Sequence, residues 1–564
     1  MFSDKVAPEN LNTKRLDSDF YRPEYIEIDN TLSNLNCVKL GTIGKFFTGP
    51  FGSLLPSNLY LNEGIPLFRV GNVGQFEALS ENFAYLAPSV HEQLKVSEVL
   101  PGDLLLVKAS VGEKICKVPE WLPKANITQH IIGIRPNQSK DTDYISAFLF
   151  CYYGVGQLQR YSLGSIIQYL GITDAKDVNL YSPDPLVQKY IGDKVRQAEQ
   201  LRAWAKRLYR IPAFIDAFIQ GALPLSLTDS LFSLMKNSNN DAIKELTKFL
   251  ALNIEDAQMK QNFQDFIEKN KMGSVDIERE FSHINTVSTL AIEDFLSAQT
   301  YRPAITDAFD KITSKKFSTL QSISLEPIRQ GATPKFSTIG KKCIKSKQTR
   351  DLFLDETGYE IVDPNDEQNK RIVRLKRNDI LVTRQGAGTV GRASIFLDDE
   401  ETYITDSLFL VRIDPAKANP AFVAGFLRSY TGQRLIEKGV YGSTGQLNLS
   451  STALRNIPIL DVPLEFQNFL GETLCTADTL FKLSTRLTQS AKTLVEALIE
   501  GQLTEQQLIQ AQQALEDGDN SLDQAILSKL SAEGYAIEGA TPLFSDVDEL
   551  YSLLEEAAQA EAEE

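Results

Sequence analysis

The 564-residue chain has few of the residues that build metal centres and disulfide frameworks. Five cysteines are scattered, odd in number and never spaced as Cys-x-x-Cys, so neither a disulfide framework nor a zinc site follows from them. The histidines are His91, His130 and His283. Only His130 falls in an expected core strand, where a structural histidine with satisfied ring nitrogens is the ordinary interpretation.

Long apolar runs and nucleotide-binding motifs are also missing. No uninterrupted apolar run approaches ~18 residues and the N-terminal segment has no apolar signal core, so we expect a cytoplasmic protein without membrane contact. The sequence has no GxxxxGK[ST] loop for ATP and no [DNS]PP[YFW] tetrapeptide of amino-methyltransferases. "GAGTVG" at 386–391 fits GxGxxG, but a strand pattern follows it instead of a helix, which predicts a β-hairpin loop. The chain does not resemble an enzyme.

The formal charge of −16 is concentrated in one segment. Residues 511–564 contain 14 acidic residues and one basic residue, a net −13, which leaves −3 for residues 1–510. Basic runs occur at 341–347 ("KKCIKSK") and 371–377 ("RIVRLKR"), where a solvated surface is an equally good interpretation. Net charge therefore neither supports nor excludes a nucleic-acid partner.

The sequence is similar to itself at a nearly constant offset. Five pairs of segments match in the same order, at offsets of 276 to 280 residues. The pairs are "YRP" at 21 with "YRP" at 301; "PGDLLLVK" at 101 with "RNDILVTR" at 377; "NITQHIIGIRP" at 126 with "YITDSLFLVRIDP" at 403; "YSLGSIIQYL" at 161 with "VYGSTGQLNL" at 440; and "FIQGAL" at 218 with "LIEGQL" at 498. Five collinear matches indicate a duplication.

Each copy has some 150 residues of short β-branched and aromatic runs broken by Gly, Pro, Asn and Asp, followed by a long helical pattern. Apolar residues fall on an a/d spacing in both helical patterns: Val195, Ala198, Leu201, Ala205 and Leu208, and Leu480, Leu483, Leu487, Leu494 and Ala497. Gly221 and Gly501 are the matching C-terminal stops. Two equivalent stripes favour an intramolecular coiled coil over two helices that each pack on their own domain.

The predicted class is α+β, with tandem pseudo-symmetric mixed α/β domains separated by two long antiparallel coiled-coil helices. The predicted boundaries are 15–184 and 297–462 for the domains, 185–223 and 463–503 for the spacer helices, 224–296 for a helical insertion, and 504–564 for an acidic helical tail. The insertion and the tail lie outside the duplication. Their plain interpretation is a linker and a solubilising tail.

The order of motifs resembles a known family. "LGTIGKFFTGPFGS" is followed by "GIPLFRVGNV", "VLPGDLLLVK", "NITQH", "GSIIQYLGI" and "SPDPLVQK". Over 15–223 and 297–503 this order resembles the target-recognition domains of specificity subunits of type I restriction–modification enzymes. The second copy departs from the pattern, because "RQGATPKFS" at 329–337 replaces the GPFGS loop.

The resemblance implies a subunit without catalytic activity. It implies that each domain reads one half of a bipartite, asymmetric site in double-stranded DNA, while the paired helices fix the spacer. Two methyltransferase subunits would clasp the chain, with or without a restriction–translocase subunit. S-adenosylmethionine and ATP are then expected only on those partners, so this chain is expected to hold no cofactor or metal.

The loops of the recognition domains contain the candidate DNA contacts, because sequence is read by side chains that hydrogen-bond to base edges. For the first half-site the candidates are Ser53, Arg69, Lys108, Ser110, Gln168 and Tyr169. For the second they are Arg329, Thr333, Lys335, Arg384, Gln385, Ser443 and Gln446.

Two alternatives stay open. The chain would also suit a specificity adaptor of another methyltransferase-containing phage-defence system. A protein-interaction scaffold or DNA mimic that uses the acidic tail is an alternative of a different class. The DNA sequence recognised does not follow from the loops.

Overall fold

The computed structural model describes residues 17–80, 83–109, 114–138, 140–164, 169–237, 239–271, 297–355, 357–367, 371–386, 388–442 and 447–562, with the single residues 11, 15, 112, 287 and 369. Helices and short strands are mixed throughout, which confirms the α+β class. Contacts divide the chain into unit 1, Met1–Arg202 with Lys482–Glu555, and unit 2, Ala203–Phe481 with Glu556–Glu564. These divisions fall inside helices and not at the predicted domain limits.

The first domain consists of short elements. Its strands are β1 Cys37–Lys39, β2 Gly44–Thr48, β3 Ile65–Phe68, β4 Ala84–Leu86, β5 Glu98–Val99, β6 Leu104–Val107, β7 Ile115–Lys117, β8 Ala125–Ile127, β9 Ile131–Pro136 and β10 Asn179–Tyr181. Its helices are α1 Pro23–Ser33, α2 Pro88–Gln93, α3 Thr142–Phe150, α4 Tyr152–Tyr161 and α5 Ile172–Lys176.

Two four-stranded sheets form the centre of this domain. One has the order β2-β9-β6-β7 and is antiparallel throughout; the other has the order β4-β3-β8-β5, with β3 and β8 parallel. Phe68, Val107 and Ile127 belong to one core cluster. Strand β6 is buried at all four positions, so its sequence is continuously apolar (LLLV) and not alternating.

The segment after the first domain is helical. Its helices are α6 Pro185–Leu208, α7 Ile211–Gln220, α8 Leu225–Asn237, α9 Asn239–Leu250 and α10 Ala257–Lys271. Where one spacer helix was predicted over 185–223, the structure has α6 and α7. Pro212 explains the break, because a proline inside a helix lacks the N–H donor and clashes with the carbonyl four residues earlier, whereas it fits the first turn of a new helix. As predicted, α7 ends at Gly221, whose φ of +68° is left-handed.

The second domain repeats the architecture of the first. Its elements are α11 Pro303–Thr313, β11 Phe317–Thr319, β12 Arg329–Gln330, β13 Phe336–Ser337, β14 Lys341–Ile344, β15 Glu360–Val362, β16 Val373–Arg374, β17 Ile380–Thr383, β18 Ala393–Ile395, β19 Thr402–Ile404, β20 Leu408–Val411, α12 Pro420–Arg428, α13 Tyr430–Glu437, β21 Val440–Tyr441, β22 Asn448–Leu449, α14 Ser451–Arg455 and β23 Pro458–Leu460. The sheet β12-β20-β17-β18 has the topology of β2-β9-β6-β7. The second sheet, β13-β15-β14-β19-β16, adds one strand to the order seen in the first domain, and its central pair β14 and β19 is again parallel.

The C-terminal part begins with the longest helix described. Its elements are α15 Leu464–Ile499, α16 Glu505–Glu516, α17 Ser521–Leu527, β24 Leu530–Ser531, β25 Gly534–Tyr535 and α18 Val547–Ala562. Gly501, with φ of +73°, follows α15 as predicted. Helix α16 starts at a capping box, in which the Thr504 and Gln507 side chains each pair with the other's backbone.

The apolar stripes of the two spacer helices are buried, as an interhelical seam requires. All ten stripe residues named above are at most 2 % exposed. Within unit 2, the Tyr209 ring lies 6.3 Å from the Phe481 ring, and the Phe218 ring lies 5.4 Å from the Phe466 ring. Residue numbers rise along one segment as they fall along the other, so the segments run antiparallel there. A coiled coil along the whole length of both helices stays a prediction.

Residues 504–555 of the acidic tail are packed as part of unit 1, which corrects the interpretation of this segment as a solubilising tail. Asp523 is 1 % exposed and accepts hydrogen bonds from the Tyr190 hydroxyl at 2.5 Å and from the Lys194 ammonium at 2.7 Å. The Tyr551 hydroxyl also donates to Asp523. At the surface, Lys189 pairs with Glu516 at 2.9 Å. Part of the negative charge of the tail therefore serves internal structure.

The helical insertion is likewise packed, in its case within unit 2. Phe249 lies between Phe214 of α7 and Phe263 of α10, at ring distances of 5.8 and 4.6 Å. The amide of Tyr430, the first residue of α13, donates to Asn270 Oδ1 at 3.0 Å. Among the described residues, α8 to α10 are thus part of a core and do not form a free linker.

The buried histidine is His91 and not His130, so the prediction for His130 was wrong. His91 is 1 % exposed, with Nδ1 at 2.6 Å from Asn126 Oδ1 and Nε2 at 3.2 Å from Glu98 Oε1. His130 is exposed because it lies in the turn before β9 and not in the strand. His283 lies outside the described residues.

None of the described helices combines the length and the apolar character needed to cross a membrane by itself. One bent pair, Pro185–Gln220 with Leu225–Lys236, meets the criteria of length and composition only.

Candidate nucleic-acid interface

The glycine-rich loop of the first domain, residues 48–73, lines a cleft of about 560 Å³. Pro50, Gly52, Leu55 and Tyr60 form one wall, and residues 69–72 and the turn 128–130 form the rest. The lining includes Arg69 and His130 and contains no carboxylate. Phe51, 76 % exposed, lies beside the cleft. The lining residues therefore bring no negative charge into the cleft.

Gly49 of this loop is required by packing inside the protein. A Cβ atom on Gly49 would overlap the backbone carbonyl of Ile127 at the end of β8. Gly331 is under the same packing constraint in the second domain, because a Cβ atom there would overlap the backbone carbonyl of Thr405. At these two positions glycine lets the loop approach the backbone of a neighbouring segment.

The turn between β8 and β9 is held from two sides. The Thr48 hydroxyl donates to the Ile131 carbonyl at 2.8 Å, and the Gly52 amide donates to Gln129 Oε1 at 3.2 Å. Gln129 Nε2 lies 3.2 Å from His130 Nε2. Three polar side chains of one loop and one turn are thus fixed at the edge of the cleft.

Lys108 and Tyr169 lie together at the end of β6. Lys108 is 7 % exposed and its ammonium lies 5.5 Å from the centre of the Tyr169 ring. Burial lowers the pKa of Lys108. The amide of Leu170 donates to the Lys108 carbonyl at 2.9 Å, which ties the Tyr169 segment to the end of the strand. Tyr169 is 39 % exposed and borders solvent, whereas Lys108 is buried beneath it.

Of the other candidates of the first domain, two lie in the part of the chain that the structure describes and two do not. Ser53 is exposed in the loop 48–73. Arg69 is partly buried, and its amide donates to Asn72 Oδ1 at 3.0 Å. Ser110 and Gln168 lie outside the described residues.

Two candidates of the second domain, Thr333 and Arg384, contact Asp406, and a third, Gln385, contacts Arg384. The Thr333 hydroxyl donates to Asp406 Oδ1 at 2.6 Å. Arg384 donates from Nε to the Asp406 carbonyl at 2.8 Å and from Nη2 to Gln385 Oε1 at 2.6 Å, and its guanidinium lies 3.9 Å from Asp406 Oδ2. The structure therefore brings Thr333, Arg384 and Gln385 together around a residue that was not among the candidates.

Arg329 and Lys335 lie on the exposed surface of the same domain. Arg329 Nη2 lies 3.6 Å from Glu326 Oε2. The backbone amide of Lys335 donates to Asp366 Oδ2 at 2.9 Å. Ser443 and Gln446 lie outside the described residues.

The two sites have the same main-chain framework. The amide of Lys108 donates to the His130 carbonyl at 2.9 Å, and that of Arg384 donates to the Ser407 carbonyl at 2.8 Å. Likewise the Lys108 carbonyl accepts from Leu170 and the Arg384 carbonyl from Leu449, at 2.9 and 2.8 Å.

Gln129 and Asp406 occupy equivalent places in this framework, at an offset of 277. Neither was among the predicted contacts. Both stand in the repeated motif that revealed the duplication, "NITQH" and "YITDS", so the difference between two otherwise similar turns was the signal that could have identified them.

The basic runs of the second domain are largely neutralised by acidic neighbours. Lys342 pairs with Glu400 at 2.5 Å and Lys345 with Glu360 at 2.9 Å. Both Arg374, at 3.2 Å, and Lys341, at 3.9 Å, approach Glu401. A solvated, charge-paired surface is thus the better interpretation of these runs.

The GxGxxG-like segment is a hairpin loop, as predicted. It connects β17 to β18, which pair antiparallel from Ile380 with Ile395 to Val382 with Ala393. A helix does not follow it, so the described residues of this loop lack the helix N-terminus that binds a dinucleotide.

Comparison with known proteins gives structural matches only. No protein-family model and no curated protein matches the chain. The solved S subunit of a type I restriction–modification system from M. genitalium is similar to it, with 12 % identity, a TM-score of 0.35, and coverage of 84 % of this chain and 97 % of that one. The HsdS subunit from Thermoanaerobacter tengcongensis is similar with 13 % identity, a TM-score of 0.25, and coverage of 83 % and 97 %.

A third solved chain, from work on complex assembly and conformational transition of the type I R-M system, has 14 % identity and a TM-score of 0.25, with coverage of 83 % of this chain and 98 % of that one. These structures come from the kind of system that the motifs of this chain resemble. Because the TM-scores are below 0.5, the case for function depends on the chain's own residues.

Proposed function

We propose that the chain is a DNA sequence-specificity subunit that recognises a bipartite, asymmetric site and directs partner methyltransferase subunits to it. In this proposal it performs no chemistry itself. S-adenosylmethionine belongs to the methyltransferases, and ATP belongs to a restriction–translocase subunit where one is present.

One observation carries the proposal: two domains of the same topology hold different polar side chains on the same framework. Lys108, Gln129 and Tyr169 in the first domain correspond in position to Arg384, Asp406 and Asn448 in the second. A reader of an asymmetric site needs this combination, since the scaffold must present side chains to each half-site while their identities differ.

The two long helices supply the second requirement, a fixed spacer. Helix α15 has 36 residues, which corresponds to roughly 54 Å at 1.5 Å per residue. One turn of B-DNA, about 34–36 Å, separates successive faces of the major groove. A helix of this length is thus sufficient to set the separation of two half-site readers.

The experiment is a comparison of methylated motifs in cells with and without the gene, together with its partner methyltransferase. A bipartite modified motif should disappear on deletion and return on complementation. Lys335→Ala and Arg384→Ala should each weaken methylation through one half-site only. Each removed contact to a base or phosphate should cost about 1–3 kcal/mol, or roughly 5- to 150-fold in binding.

Ser322→Ala is the matched control, because Ser322 lies in the same domain and its hydroxyl donates only to the local Thr319 carbonyl. An unchanged methylome after gene deletion would exclude the proposal. A change in protein associations without any change in methylation would favour a scaffold instead.

A further inference from the structure

The turns that precede β9 and β20 are equivalent in backbone but not in chemistry. Gln129 has a neutral amide with two N–H donors and one acceptor oxygen, whereas Asp406 has a carboxylate that only accepts. An Ile-Thr pair precedes both positions, so the approach to each turn is matched. The turns differ at Gln129 and Asp406 and at the residue that follows each of them.

Both side chains are oriented by the same neighbouring loop. In the first domain the loop provides the Gly52 amide, 3.2 Å from Gln129 Oε1. In the second it provides the Thr333 hydroxyl, 2.6 Å from Asp406 Oδ1. A head group held in this way is pre-organised, which reduces the entropy lost when it bonds to a base edge.

The main-chain hydrogen bonds of the turn are the same with either side chain. The backbone bonds from Lys108 to His130 and from Arg384 to Ser407 fix both turns in the same way, with an amide in one and a carboxylate in the other. Each side chain also remains accessible, and that of Asp406 is 48 % exposed. A position with a fixed backbone, an oriented head group and a variable identity has the properties of a specificity determinant.

We infer that Gln129 and Asp406 each determine one base pair, one in each half-site of the DNA. Glutamine pairs with adenine through N6 and N7, and aspartate accepts from cytosine N4. The inference rests on the proposed function and adds the chemistry of one position in each half. Arg384, which contacts the Asp406 segment, positions that turn and balances its charge.

The test uses the full chain with its partner methyltransferase. The variants are Asp406→Asn, which replaces a carboxylate by an amide of equal size, and Gln129→Glu, which makes the opposite change. Asp399→Asn is the control for charge, since Asp399 is exposed in the same domain and pairs with Arg377 at 3.3 Å. The methylated motif of each variant is determined genome-wide.

We expect Asp406→Asn to change the base accepted at one position of one half-site, from cytosine toward adenine, and Gln129→Glu to change one position of the other half. Preference for the original base should fall by roughly 5- to 150-fold. Asp399→Asn should keep the wild-type motif. If both test variants keep the wild-type motif, or if either variant alters both halves, the inference is wrong.

Where a variant gives no detectable methylation, its purified complex is used to select DNA randomised at both half-sites. Altered or lost selection at one position of one half supports the inference, whereas wild-type selection or loss in both halves overturns it. A wild-type chain without any bipartite motif would instead refute the proposed function.

Discussion

The buried ion pair between Lys194 and Asp523 allows a quantitative prediction of how one substitution changes the stability of unit 1. Lys194 has no exposed side-chain surface, and Asp523 accepts from Lys194, Tyr190 and Tyr551. Asp523→Ala would leave an ammonium and two hydroxyls without their acceptor. Breaking a buried pair by removal of one partner costs about 3–5 kcal/mol, because the remaining charge stays desolvated. We expect this cost to release residues 504–555 from α6 before the rest of unit 1 unfolds.

Hydrogen exchange is the suitable assay, because a chain of two compact units does not unfold in a single transition. Exchange of the α16 and α17 amides, followed by mass spectrometry, should accelerate by about 10² to 10⁴-fold in Asp523→Ala. The control is Glu516→Ala, which removes an exposed pair with Lys189 and should leave the exchange of these amides close to that of the wild type, because solvent screens an exposed pair. Equal protection in both variants would refute the reasoning.

Two further measurements distinguish the buried charge from simple loss of packing. The double variant Lys194→Met with Asp523→Leu should recover most of the protection, because a buried ion pair can be replaced by apolar side chains of similar volume. Burial alone would raise the pKa of Asp523, but Lys194 and the two tyrosine hydroxyls outweigh it and hold that pKa below its ordinary value. A depressed pKa stabilises the folded state above the unfolded-state value. The docking should therefore persist at neutral pH and weaken only below about pH 4.

Two other predictions concern the packing of the recognition domains. Gly49→Ala and Gly331→Ala should each destabilise their own domain by about 1–3 kcal/mol, because the new Cβ overlaps a backbone carbonyl. Gly71→Ala is the control and should be nearly neutral, because its Cβ meets open space. Chemical denaturation measures all three variants. Burial raises the pKa of both Cys151 and Cys343 to about 12, so a thiol reagent at pH 8 should modify them only after unfolding; rapid labelling of the native chain would contradict their burial.

The repeated architecture was predictable because its signals are local. Apolar runs such as "LLLV" and "ILVT" specify strands, and glycine after an apolar stripe marks a helix end. Both features occur twice at a constant offset, so the duplication needed no knowledge of contacts. The hairpin at 386–391 followed from the same logic, since the residues after the loop favour a strand.

The features that sequence reasoning missed depend on partners far away in the chain. Nothing near Asp523 identifies Lys194, 329 residues earlier, as its partner. The basic run 341–347 similarly gave no sign that Glu360 and Glu400 would neutralise it. Asp406 was missed for a different reason, because the search for DNA contacts favoured donors over acceptors.

Asp216 and Glu496 show that the duplication extends to contacts that no motif revealed. They stand at an offset of 280. In unit 1, Glu496 of α15 accepts from the Tyr152 amide at the start of α4, at 2.7 Å. In unit 2, Asp216 of α7 accepts from the Thr431 amide in the first turn of α13, at 3.2 Å.

A carboxylate at a helix N-terminus satisfies amides that have no partner within the helix. Because α15 follows the second domain and α7 follows the first, each copy supplies this carboxylate to a helix of the other copy's domain. The first domain thus depends on a residue more than 300 positions away, and the second depends on a residue that precedes it. We therefore expect substitution of Glu496 in α15 to destabilise the first domain, and substitution of Asp216 in α7 to destabilise the second.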